Sequence, residues 1–256
     1  MKSIILAALG LSSTQTLAEL KPVKSGVYRW ADHTVTTSED RESRKILEGT
    51  SAHLDYLEIH ATTQFVGAKP SKAHANEDIE ELIIIKDGLA KFTIEDKSKI
   101  MGAGSVVSLM PQQMHSIENA GDVPLTYFVM RYRSKKPMDI KRGVAEGGSL
   151  MLDINSLPLK PSERGGGRPY FDRPTAMCDR FEMHVTQLHR KGPSHKPHQH
   201  IETEIILVIS GDTEMMIDGK NYTAGSGDFY FAESQLMHGI SNATDKPATY
   251  FAYKWN

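Results

Sequence analysis

The stretch HKPHQHIETEIILVISG, residues 195–211, crowds His195, His198, His200, Glu202 and Glu204 against an unbroken apolar run that stops at a glycine. Imidazole and carboxylate groups ligate borderline transition metals and carry protons near neutral pH. Alternate residues of an extended chain face the same way, so His198 and His200 project together. The chemistry in prospect is therefore metal binding, with proton transfer beside it. His189 and His195 lie on the approach to this stretch and read most simply as solvent-exposed.

The elements that must position these groups come in two copies. EELIIIKDG (80–88) answers to TEIILVISG (203–211), and NAGDVPLTYF (119–128) answers to NATDKPATYF (242–251), displaced by 123 positions (211 minus 88, 242 minus 119). Upstream, DYLEIH (55–60) matches DRFEMH (179–184) at 124 (184 minus 60), so the first copy has one extra residue between His74 and Glu81. Fixed-period self-similarity indicates tandem copies of one unit. Each copy reads as short strands punctuated by turns, as at Asp218-Gly219, with no long 3.6-residue periodicity. Regular short strands form sandwiches or barrels, so the expected fold class is all-β with two tandem barrels. The expected boundaries are an N-terminal barrel over 19–140, a Gly- and Pro-rich linker over 141–168 and a C-terminal barrel over 169–256. Within the linker, Gly165–Gly167 permits a mobile loop over a barrel mouth.

Composition narrows the partners. Lys and Arg number 30 against 32 Asp and Glu, a net charge of −2, which leaves no basic excess to hold nucleic acid or an anionic membrane. Cys178 is the single cysteine, so no internal disulfide forms and stability rests on a core. Cys178 itself reads as a small buried hydrophobe, and Met215-Met216 as core filling. Residues 1–18, MKSIILAALGLSSTQTLA, combine one lysine, a short apolar segment and small residues at the end, the pattern of a cleaved secretory signal. The apolar run is too short for a spanning anchor. The mature chain is expected to begin at Glu19 and to be exported to the periplasm or secreted.

The spacing GxxxxxHxHxxxExxxxxxG, from Gly192 through His198, His200 and Glu204 to Gly211, resembles the first motif of the cupin family. GDFYFAESQLMHGISN (227–242) resembles the second, with Gly227, Asp228, His238 and Asn242 at matching positions. The resemblance implies double-stranded β-helix (jelly-roll) barrels whose two motifs meet inside to hold a divalent metal. Carried over, the ligands are His198, His200, Glu204 and His238. Three imidazoles and one carboxylate suit iron, manganese, nickel, copper or zinc and leave room for water or a substrate.

This copy departs from the family where a proline and a glycine commonly precede the last histidine. Glu233 and Gln235 stand there, which removes a rigid turn and adds a carboxylate near the expected metal mouth. Glu233 is thus a candidate general acid or base, with a solvated turn residue as the plainer alternative. The first copy retains His74, Glu81, His115 and Asn119 but has Asn76 where the second histidine belongs. An amide is a poor transition-metal ligand, so this weaker site is expected to have lost tight binding unless Glu77 substitutes. His60 and His184 occupy equivalent positions, each sharing a strand face with a glutamate two residues before it (Glu58, Glu182). A structural role common to both barrels competes with the alternative that His184 lines the metal pocket and moves protons there.

Fold does not fix function. The leading expectation is a metalloenzyme acting on a small oxygen-rich metabolite, such as a sugar acid or hydroxy acid, by lyase, isomerase or hydrolase chemistry. An iron or copper dioxygenase of the two-barrel type is an alternative, and a non-catalytic ligand-binding or structural protein is another.

Overall fold

The computed structural model of the chain describes residues 19–256, so the expected leader over 1–18 lies outside the described residues. The architecture is the expected pair of tandem β-barrels, each a seven-stranded sheet facing a smaller one. In the first barrel the large sheet runs 150–152, 106–109, 80–87, 125–134, 54–64, 41–49, 35–37, opposed by 97–102, 89–94 and 115–119. In the second it runs 26–28, 229–232, 203–210, 248–255, 181–188, 165–173, 160–162, opposed by 192–193, 238–242, 213–217 and 220–224. All sheet pairings between these strands are antiparallel. Among the described residues no helix is long and apolar enough to cross a membrane.

The unbroken apolar strands follow from this arrangement. A strand with water on one side alternates polar and apolar residues, whereas one buried on both faces is apolar throughout. Ile83 and Ile85 face the interior of the first barrel, and Leu82 and Ile84 face the other way. Ile206 and Val208 fill the second barrel, while Ile205 and Leu207 turn outward. The outward residues of both barrels merge into one cluster that includes Leu57, Ile59, Phe128 and Met130 from one side and Phe181, Met183, Phe251 and Trp255 from the other. The two large sheets thus share a core, larger than either barrel's own interior cluster. Cys178 is buried within it.

Three short strands depart from the boundaries drawn from sequence, one of them Lys160–Ser162 of the expected linker, which pairs with Gly165–Gly167 in the second barrel's sheet. Gly26–Tyr28, from the start of the chain, pairs with Phe229–Phe231 of the second barrel. Leu150–Leu152, from the expected linker, pairs with Val106–Ser108 of the first. Two carboxylates fasten the halves further. Glu80 of the first half accepts hydrogen bonds from the Thr175 hydroxyl (2.6 Å) and the Ala176 amide (3.0 Å). Glu233 of the second accepts one from the Ala52 amide (3.0 Å), the repeat equivalent of Ala176.

The Gly165–Gly167 segment is not a loop over a barrel mouth. It opens the strand Gly165–Arg173, paired with Phe181–Leu188. Its glycines serve close approach, since a Cβ on Gly165 would lie 2.0 Å from the Gln187 carbonyl oxygen at a φ of +154°. Gly165→Ala is expected to cost about 2 kcal/mol or more in denaturant unfolding, because both strain and collision must be relieved.

Candidate metal centre

His198 precedes the strand Thr203–Ser210, and Glu204 lies at that strand's start. His238 begins the strand His238–Asn242 on the facing sheet. An isolated antiparallel bridge ties the two motifs together: the His198 amide donates to the His238 carbonyl (2.9 Å) and the His238 amide to the His198 carbonyl (2.8 Å). The imidazole centroids of His198, His200 and His238 lie 4.8–5.3 Å apart. A ligand nitrogen from each can be chosen so that all lie within 4.8 Å of one another. Glu204 reaches in beside them, its Oε2 2.9 Å from His238 Nε2 and 3.7 Å from His200 Nε2. The four residues expected as ligands are therefore brought together.

The second set of bonds decides what these nitrogens can do. His238 Nδ1 bonds to the Leu236 carbonyl (2.8 Å) and His200 Nδ1 to the Glu202 carbonyl (3.0 Å). A carbonyl only accepts, so each Nδ1 carries its hydrogen and the neutral ring presents a lone pair at Nε2. Both Nε2 atoms are buried without a hydrogen-bond partner, although both face Glu204. Nitrogen lone pairs and a carboxylate buried side by side form a site that a shared cation would complete. The donor set fits a divalent transition metal.

Without that cation, protons take its place. Burial would raise the Glu204 carboxyl, but the His200 and His238 imidazoles beside it outweigh burial and hold it well below the usual carboxylate range. Burial would lower His238, and Glu204 outweighs that too, raising it. His198 is lowered by burial and by the neighbouring imidazoles. The metal-free site thus keeps a proton on His238 above the ordinary histidine range, and metal entry must displace it. Calorimetric titration with zinc near pH 7, in buffers of differing ionisation enthalpy, is expected to show net proton release that fades as pH rises past the raised His238 value.

A cleft of about 540 Å³ opens on this cluster. His184 lines it, its Nδ1 bonded to Glu182 Oε1 at 2.6 Å. Lys254 also lines it, 3.3 Å from the other oxygen of Glu182, and Lys196 stands nearby. His195 is exposed but lines the cleft as well. The two lysines went unnoticed in the sequence. Lys254 had a signal there, because the repeat sets it against Arg131 (254 minus 131 is 123).

Glu233 is placed elsewhere. It does not line the cleft, and its carboxylate accepts from the Thr203 hydroxyl (2.6 Å), the Ser234 amide (2.8 Å) and the Ala52 amide. Oε1 is held within the second half and Oε2 joins it to the first, so the carboxylate is engaged away from the cleft. The turn expected to be lost without glycine is kept, with Gln235 in the left-handed region at φ +65° and Gln112, its repeat equivalent, at +69°.

In the first barrel His74, Glu81 and His115 also gather within 4.8 Å, and Glu77 is exposed and outside the group. His115 Nε2 lies 3.2 Å from Glu81 Oε2. The other Glu81 oxygen accepts from Asn76 Nδ2 (2.9 Å) and lies 3.3 Å from Arg131 Nε. His60 bonds to Glu58 at 2.8 Å, the counterpart of the His184–Glu182 contact.

Comparison with known proteins matches these features to one family. Its sequence model, described as Cupin domain, matches residues 64–131 and 184–253. No curated protein matches the chain in sequence. Among solved structures, AerE from Microcystis aeruginosa is similar at TM-score 0.67 and 12% identity, covering 90% of this chain and 98% of that one. An oxalate decarboxylase–formate complex from Lactobacillus farciminis is similar at 0.68 and 15%, covering 91% and 87%. Protein Ylba from E. coli is similar at 0.68 and 14%, covering 90% of each chain.

Proposed function

The chain belongs to the cupin family in two-barrel form, and on that premise we propose that its second barrel is a metal-dependent enzyme site for a small carboxylic acid. The observation that carries the reading is the placing of Lys254 and Lys196 on the same cleft as His198, Glu204 and His238. Ammonium groups beside a metal cluster attract an anion and fix one end of it. The similarity to an oxalate decarboxylase, an enzyme named for a small carboxylate, points the same way.

His198, His200, Glu204 and His238 would hold the ion, which when bound supplies a Lewis acid for a substrate oxygen. The residues around it divide the remaining work. Lys254, steadied by Glu182, binds the carboxylate. His184 is oriented by the other oxygen of Glu182, which leaves its Nε2 to take a proton from, or return one to, the carbon or oxygen beside that carboxylate. Ile206, Ile240 and Ala252 form an apolar wall that limits water. This is lyase or isomerase chemistry on a hydroxy acid, sugar acid or dicarboxylate. The leader-like residues 1–18 support an exported setting for it.

The test is to load the purified chain in turn with manganese, iron, zinc, nickel and copper and assay turnover of a panel of small carboxylates, oxalate included. Turnover of one of them supports the reading. Oxygen consumption with an aromatic substrate would replace it with a dioxygenase, and tight binding without turnover under any metal would replace it with a binding protein. Once a substrate is known, Lys254→Met is expected to raise KM about ten-fold or more while metal content stays unchanged, the effect of losing one charge-assisted hydrogen bond.

A further inference from the structure

The two barrels differ at one pair of equivalent positions in a way that assigns them different cations. We propose that the guanidinium of Arg131 is the resident cation of the first barrel, standing where the second barrel takes its metal, so that His74, Glu81 and His115 hold no divalent ion. This inference concerns the first barrel alone and is independent of the reaction assigned to the second.

The argument is one of reach and occupancy. Arg131 Nη2 donates to Asn76 Oδ1 at 3.0 Å, Nε lies 3.3 Å from Glu81 Oε1, and Nη1 lies 3.8 Å from Glu58 Oε2. Its forked donors therefore span the carboxylate that would be a ligand, the residue in the lost histidine's place and the glutamate behind them. Asn76 completes the arrangement by donating to the same Glu81 oxygen. Lys254, at the equivalent position, has a single nitrogen and pairs with Glu182, the counterpart of Glu58. Glu204 is left to the imidazoles. A guanidinium is charged at every accessible pH and cannot step aside by losing a proton, so a divalent ion at Glu81 would meet a fixed like charge. Asn76 alone would make the first site weaker; with Arg131 beside it the site is filled.

The experiment uses the full chain carrying Glu204→Gln, so that the second barrel's site is disabled, stripped with chelator and titrated with zinc. The parent is expected to bind no zinc above a non-specific background. Asn76→His added to it is expected to bind none either, while Asn76→His with Arg131→Lys is expected to gain about one equivalent, lost again on His115→Ala. Zinc in the parent that His115→Ala removes would overturn the proposal. So would an equivalent gained by Asn76→His with Arg131 intact, or a folded Asn76→His/Arg131→Lys protein that binds none. Circular dichroism and thermal unfolding report folding. If the double variant does not fold, Lys254→Arg in the otherwise unaltered chain decides: zinc affinity about ten-fold weaker supports the proposal, and unchanged affinity overturns it. Failure of the second barrel to bind metal at all is read separately, from the unaltered chain.

Discussion

Glu204→Gln is expected to yield a folded protein that binds zinc or manganese at least about 100-fold more weakly and is inactive in any metal-dependent assay. The substitution is nearly isosteric at a buried position on the cleft, so the barrel should survive it. What changes is charge. The carboxylate is the anion that faces the bare Nε2 of His200 and His238, whereas Glu202 meets only the Nδ1 side of His200. An amide cannot neutralise a divalent ion, and its NH₂ would donate to one of those nitrogens and fill the gap with a hydrogen bond. Elemental analysis beside circular dichroism checks both halves. Full metal content in Glu204→Gln would move the ligand set elsewhere.

Phe181→Ala is expected to destabilise the whole chain by about 4 kcal/mol, lowering the thermal midpoint on the order of 10 °C. Phe181 is fully buried, with its ring 5.5 Å from Tyr132 of the other half, 5.5 Å from Phe171 and 6.1 Å from Trp255, each edge to face. Deleting it opens a void where two rigid sheets meet, and neither sheet can collapse alone to fill it. Because the cluster belongs to both barrels, tryptophan fluorescence and far-ultraviolet dichroism should report one coincident transition. A variant that melts one barrel before the other would show that the shared core couples them less than its burial implies.

The ligand cluster and the duplicated barrel were legible because both are written at fixed spacing. The repeat located equivalent positions, and strand alternation put His198 and His200 on one side. What the sequence hid depends on which face of a sheet a turn delivers its residues to. Glu233 precedes His238 by five positions and reads as a neighbour of the metal, yet its carboxylate crosses to Ala52 and Thr203. Gly165–Gly167 reads as mobile, yet the segment is strand, and at Gly165 another backbone passes too near for a side chain. Lys254 is 50 positions from Glu204 (254 minus 204), and only antiparallel pairing places the two opposite one another. No local pattern announces such a pair. The resident Arg131 was hidden in the same way, although aligning the copies shows arginine in one and lysine in the other.

The pairing of Gly26–Tyr28 with Phe229–Phe231 also bears on how the molecule comes into being. Synthesis runs from the first residue to the last, so the strand made earliest waits unpaired while some two hundred further residues are added (229 minus 28 is 201). The second barrel's sheet includes a segment that precedes its pairing partner by some two hundred residues. A prematurely terminated chain therefore displays an open strand edge and half of an apolar seam, the features by which quality-control proteases and chaperones select their clients. Only the finished polypeptide escapes that scrutiny.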